Sequence, residues 1–273
     1  MATAATPETA PRPRAEEEAG AAMSFFDHLV ELRKRIISAL AAVGIGMVIG
    51  LAISKRVINF IVQPMLIALR ANHLDPKLYY NHPVGLVGLY INLGLYVGLV
   101  IAMPWVLYQI WLFVAPGLYR HERRATVSFI ISAMFLFLTG ICVGYFGLLP
   151  LVLTKVIGFS DGGPISPWID VNEYFNLILV VLVGLGVIFE MPVVVFILSI
   201  FNIVTPKFLL KNFRYAMLVI TVLAAIVTPS PDATTMLIFM APMIVLYFIS
   251  VLVSYVVIRK KRRQALIDGG QAS

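Results

Sequence analysis

Long apolar runs separated by short polar punctuation dominate the chain. A run of about 18 or more apolar residues is long enough to cross a bilayer as a helix. Runs of that kind occupy residues 36–53, 85–104, 125–149, 172–201 and 233–258. A further run, 215–227, has only 13 residues. At helical rise it covers about 20 Å of a hydrocarbon core of about 30 Å. Either the bilayer thins there, or this segment and the next form a shortened pair. The pattern predicts an all-α integral membrane protein, a bundle of six transmembrane helices with the last two spans short.

The segments between the runs set the boundaries. Residues 1–22 are rich in Ala, Pro and Glu with little to bury, which predicts a disordered tail. A basic start followed directly by an apolar core is missing, so this stretch does not read as a secretory signal; Met23 competes with Met1 as the start. Phe25, Phe26, Leu29, Leu32 and Ile36 recur at helical spacing behind Ser24 and Asp27, a variant of the capping box. They predict an amphipathic lead-in at the membrane surface. Residues 55–82 are apolar in their first half but interrupted by Gln63-Pro64, which predicts short helices on the membrane rather than a span. Pro116-Gly117 and the Gly/Pro-rich 154–168 read as breaks. Asp170 with Glu173 reads as a cap for the fourth helix, and Thr205-Pro206 as an N-cap with proline at the first helical position. Residues 259–273 form a basic tail.

Charge orients the bundle. Of the 21 Lys and Arg, 16 fall in residues 1–35, 105–125, 200–214 and 258–273, and five in the segments on the opposite side. The positive-inside rule then places both termini in the cytoplasm, which an even number of spans requires. The formal charge is +7, yet its clustering beside apolar runs points to orientation in a membrane rather than to nucleic acid. The chain is 60% hydrophobic and 13% charged, against about 45–50% and about 25% in soluble domains. Cys142 is the only cysteine, so no intramolecular disulfide forms. His28, His73, His82 and His121 show no metal spacing, and no nucleophile–base set or phosphate loop is present. Neither an enzyme nor a metal or cofactor site is expected.

Few acids accompany so much apolar sequence. Glu31 lies four residues before Arg35, which reads either as an ordinary i,i+4 surface pair or as part of a site. Glu122 sits among Arg120, Arg123 and Arg124, whose charge it offsets. Together these carboxylates flank different spans on the side placed in the cytoplasm. Each could accept a guanidinium fork, so a peptide with adjacent arginines fits that chemistry. Trp105, Tyr108, Trp111, Phe113 and Tyr119 read as interface anchors. Glu190 is the only charge in residues 177–201, and an acid at such depth costs about 2.5–3.5 kcal/mol on insertion scales. It reads either as a structural hydrogen-bonding group or as a docking point for a polar residue on a partner's membrane helix. Asp232 opens the sixth span, where a carboxylate favours the helix N-terminus.

The blocks HLVELRKR, YQIWLFVAPGLYRHERR, GLGVIFEMP and TPSPD resemble, in order and spacing, the TatC family, the core subunit of the twin-arginine protein translocase. The resemblance covers about residues 25–259. It implies a cup-like six-helix bundle in the bacterial cytoplasmic (inner) membrane that binds twin-arginine signal peptides of folded cargo. It further implies transport driven by the proton-motive force, TatA- and TatB-type single-span partners, and self-association in a larger complex. On the same basis Glu31, Arg33, Phe113 and Glu122 match signal-recognition positions. Pro64 and Pro104 match positions needed for shape. Glu190 matches a membrane-buried glutamate associated with partner contacts, and Asp232 an acidic position of the last exterior loop. A proton-coupled small-solute transporter using Glu190 is the rival reading, weakened by the absence of a clear internal repeat.

Overall fold

The computed structural model describes residues 25–81, 85–114, 126–159, 167–228 and 232–270. The expected tail 1–22, Ser24, Pro116, Gly117, Tyr119, Glu122 and its arginine neighbours lie outside them. The described chain is built from α1 (Phe25–Ala71), α2 (Gly85–Val114), α3 (Thr126–Cys142), a π-helical stretch (Val143–Leu148), α4 (Leu149–Gly158), α5 (Val171–Phe189), α6 (Met191–Ile200), α7 (Pro206–Lys211), α8 (Phe213–Val227) and α9 (Ala233–Gly270). Counting α3 through α4 and α5 through α6 as continuous rods, five stretches are long and apolar enough to cross a membrane. The short α8, with 15 residues, is the sixth. Successive rods run in opposite directions. One end of the bundle carries Glu31, the close of α2, the α6–α8 turn and the close of α9; the other carries Asp170.

The expected break at Gln63-Pro64 does not occur. Helix α1 runs for 47 residues with Pro64 inside it, a rod of about 70 Å. Proline offers no N–H to the carbonyl four residues back, here that of Phe60. Tyr145 fills the gap: its hydroxyl donates to the Phe60 carbonyl at 2.6 Å, and its ring stacks on Phe60 with centroids 4.2 Å apart. One residue on, the Tyr174 hydroxyl donates to the Ile61 carbonyl at 2.8 Å. Backbone polar groups buried against neighbouring helices need a partner inside the protein. Donors from the π-helical stretch and from α5 therefore let the helix continue, and residues 55–71 extend α1 instead of forming separate surface helices.

Two further boundaries differ from expectation. Residues 172–201 are divided at Glu190, whose N–H bonds to the Val187 carbonyl at 3.1 Å before α6 begins with Pro192 in its first turn. Shortness is also confined to α8. Helix α9 has 38 residues, because the basic run after Ile258 consists of good helix formers that carry the helix past its apolar part. The Asp170 and Thr205 caps are present: Asp170 accepts from the N–H groups of Asn172 and Glu173, and Thr205 from that of Phe208.

Glycines set the closest helix crossing. Gly46 and Gly50 on α1 meet Gly94 and Gly98 on α2, one small-xxx-small motif on each helix. A Cβ on Gly50 would stand 2.6 Å from the Gly94 carbonyl oxygen, and one on Gly98 would stand 2.6 Å from the Gly46 carbonyl carbon. A second close approach joins α3 to α5, where a Cβ on Gly140 would lie 2.8 Å from the Leu185 carbonyl oxygen. The apolar core runs through this region, with Leu93, Leu149, Ile178, Leu185, Phe239 and Met243 almost fully buried.

At the Asp170 end two connections are clasped together. Tyr79 and Asp170 form an isolated parallel bridge, with the Tyr79 N–H on the Ile169 carbonyl at 3.0 Å and the Val171 N–H on the Tyr79 carbonyl at 2.7 Å. Trp168 stacks on Tyr79 at 4.0 Å and donates its indole N–H to Asn81 at 3.1 Å. Asp170 also accepts the Asn81 N–H at 3.2 Å, so one carboxylate caps a helix and anchors a loop. Lys77 pairs with Asp75 on the surface, and that hydrogen bond raises the pKa of the ammonium.

Candidate functional site: a polar seam at one end and a buried acid

The first turns of α1 and the last turns of α2 are joined by a polar seam. Glu31 accepts from Arg35 at 2.9 Å, one turn along α1. The same guanidinium donates to the Gln109 side-chain oxygen at 3.3 Å, across to α2. The Gln109 amide donates to the Ser38 hydroxyl at 2.9 Å, and Trp105 donates to that same oxygen at 3.1 Å. Gln109 is buried and, with Asn92, one of two amide side chains in α2. A neutral amide is what this place needs, since it accepts from arginine and donates to serine at once.

The expected i,i+4 pair of Glu31 and Arg35 is thus present, but it is not a solvated surface pair. The Glu31 side chain is 17% exposed, and its second carboxylate oxygen is buried with no hydrogen-bond partner among the described residues. One oxygen is held by arginine and the other remains available to a donor. Arg33, two residues on, is exposed. Phe113 lies one turn beyond Gln109, and because α1 and α2 are antiparallel it stands at the same end as Glu31. Glu122 lies outside the described residues.

The aromatics of this region do different jobs. Trp105 is 48% exposed and leans on Tyr108 with ring centroids 5.5 Å apart, as an interface anchor would. Trp111 is only 1% exposed and packs against Ile130, Ile197 and Ile200. It is therefore a core residue tying α2 to α3 and α6, not an anchor. Seen in sequence it shared the aromatic composition of its neighbours; helical phase decides which of them turns inward.

Glu190 sits where α5 ends and α6 begins. It is 7% exposed, and neither carboxylate oxygen has a hydrogen-bond partner among the described residues. Among the described residues, no hydrogen bond to a neighbouring helix of the same chain holds this acid. Its backbone carbonyl accepts from Val193 and Val194, both at 3.0 Å. Asp232 accepts the Thr235 N–H at 2.7 Å and so caps α9. Pro64 and Pro104 both lie inside helices, α1 and α2. Among the described residues no group of His, Cys, Asp and Glu could hold a metal ion.

Fold and site together define a multi-pass α-helical membrane protein that carries, among the described residues, a half-satisfied carboxylate at one end and an unpaired one in its interior. A family model described as "Sec-independent protein translocase protein (TatC)" matches residues 27–242. The Koribacter versatilis Sec-independent protein translocase protein TatC is 43% identical over 253 residues, covering 93% of each chain. The TatCy protein of Bacillus subtilis is 32% identical over 249 residues, covering 90% of this chain and 94% of that one. Among solved structures, "Crystal Structure of Twin Arginine Translocase Receptor- TatC" aligns with a TM-score of 0.73 at 32% identity, over 84% of this chain and 99% of that chain. The chain belongs to the TatC family of Sec-independent protein translocase proteins. That membership leaves the small-solute transporter reading without support.

Proposed function

We propose that this protein is the twin-arginine signal-peptide receptor and the core of a Tat translocon that moves folded proteins across the membrane using the proton-motive force. The observation that carries the site assignment is the state of Glu31. Its side chain is largely shielded, one oxygen is held by Arg35, and the other has no partner among the described residues. A second guanidinium therefore has a free acceptor in a place where charge-assisted hydrogen bonds are strong. Glu122 supplies the other carboxylate for the arginine pair, Arg33 and Phe113 flank the site, and the apolar part of the signal lies against the bundle. The Glu31 end faces the cytoplasm in this reading, in a bacterial inner membrane, because 16 of the 21 basic residues lie on that side.

Glu190 is the point at which a polar residue on the membrane helix of a TatA- or TatB-type partner docks. An unpaired buried carboxylate is costly in a lone subunit, and a donor from another chain removes that cost. Pro64, Pro104 and Asp232 maintain the shape of the bundle, and the subunit works within a larger assembly. The test is export of a folded reporter carrying a twin-arginine signal, in cells that lack their own TatC and receive this chain with its genomic partners. Export should depend on the arginine pair and fall sharply in Glu122→Ala. Export indifferent to the arginine pair would overturn the assignment.

A further inference from the structure

Beyond the carboxylate sites, the Glu31 end holds a cleft between α7 and α9. It has a volume of about 410 Å³ and is lined by Thr205, Pro206 and Lys207 on one side and Tyr255, Ile258, Arg259 and Arg262 on the other. Its α9 wall recurs at positions 255, 258, 259 and 262, a single helical face. Among residues with described side chains, Lys207, Arg259 and Arg262 have no acidic partner. Lys261, by contrast, spends its ammonium on the Ile200 carbonyl.

The cleft is held in place from both sides. The Lys261 contact fastens α9 to the end of α6, and the Tyr247 hydroxyl donates to the Leu209 carbonyl at 2.7 Å, which fixes α7 against α9. Just inside the cations, α9 presents Leu252 and Val256 outward, 63% and 57% exposed. These positions precede Tyr255 and Arg259 by one turn or less, so an apolar strip leads directly into the cationic mouth. Positive charge above such a strip, with a tyrosine at the boundary, is the pattern of a membrane interface.

We propose that this cleft binds the phosphodiester headgroup of an anionic membrane lipid. Lys207, Arg259 and Arg262 would hold the phosphate oxygens, and the Thr205 hydroxyl would donate a further hydrogen bond. An acyl chain would lie along Val256 and Leu252. The apolar strip is what selects a lipid over an acidic protein segment, which would have no use for it. Basic pockets between helices at this depth recognise lipid headgroups by the same chemistry. The proposal does not depend on the signal-peptide reading.

The test uses the full chain in mild detergent, titrated with dioleoyl phosphatidylglycerol or dioleoyl phosphatidylcholine, with bound lipid counted by native mass spectrometry. Phosphatidylglycerol should bind at concentrations about tenfold lower. The variant Lys207→Gln/Arg259→Gln/Arg262→Gln should lose that preference, and Lys207→Arg/Arg259→Lys/Arg262→Lys should keep it. Lys34→Gln/Lys211→Gln/Arg214→Gln removes equal charge from the same end outside the cleft's lining and should also keep it. Preference surviving in the first variant, or lost equally in the last, would overturn the proposal. So would displacement of the lipid by millimolar glycerophosphate, which would make the cleft a site for a free phosphate ester.

Discussion

Arg35 holds Glu31 at 2.9 Å while keeping a second hold on Gln109 of the neighbouring helix. One guanidinium therefore positions the carboxylate and ties α1 to α2. Solvated helix pairs of this spacing contribute about 0.3–0.5 kcal/mol. Here the side chains are 26% and 17% exposed, so the coupling should be larger. A double-mutant cycle on Glu31→Gln and Arg35→Gln, read by thermal unfolding in detergent, should give about 1–2 kcal/mol. A coupling below about 0.5 kcal/mol would return the pair to the ordinary surface class.

Gln109→Leu conserves approximate volume but takes one acceptor from the Arg35 guanidinium, which keeps Glu31, and one donor from the Ser38 hydroxyl, which keeps Trp105. The expected cost is about 1–3 kcal/mol, the range for losing hydrogen bonds of which one is to a charged group. Unfolding of the variant should move by several degrees, and Asn92→Leu, on the exposed part of the same helix, should move it far less.

The α1–α2 crossing makes a graded series. Gly44 and Gly88 have nothing within 4 Å of an added Cβ, whereas Gly50 and Gly98 would meet backbone atoms at 2.6 Å. Alanine at the first two positions should be neutral or slightly stabilising. At the second two it should cost at least about 1–3 kcal/mol, since backbone cannot step aside as a side chain can. Equal behaviour across the four alanine variants, measured as the yield of folded protein and its Tm, would contradict the crossing geometry.

Glu190 separates a structural role from a docking role. Both of its oxygens are unpartnered within the described chain. Glu190→Leu should therefore leave the isolated subunit as stable or raise its Tm, because an apolar isostere replaces an uncompensated buried acid. The same variant should reduce co-purification of single-span partners. A large loss of subunit stability with normal partner recovery would show that the acid serves the bundle itself.

Sequence made much of this architecture readable, for identifiable reasons. Apolar run length locates spans because the bilayer imposes it, and Asp170 and Thr205 were readable as caps because capping is local chemistry. Pro64 reads as a break in sequence because the donor that replaces its missing bond, Tyr145, lies more than 80 residues away in the chain. Trp111 reads as an anchor in sequence because composition does not report helical phase. The seam through Gln109 and Ser38 is signalled in the sequence only by an amide in so apolar a helix. Glu31 and Glu190 stand out in sequence as rare acids, while their contrasting states among the described residues, one half paired and one unpaired, come from the fold.

The central claim is recognition of an arginine pair by Glu31 and Glu122. Its most direct measurement is photo-crosslinking in native membranes, using a signal peptide with a photoreactive residue beside its arginine pair. The expected result is an adduct near residues 31 and 122. Its yield should fall about tenfold, corresponding to about 1.4 kcal/mol, when the pair is changed to two lysines or when the chain carries Glu122→Lys. Unchanged yield in Glu31→Ala and Glu122→Lys, with no preference for arginine over lysine, would contradict it.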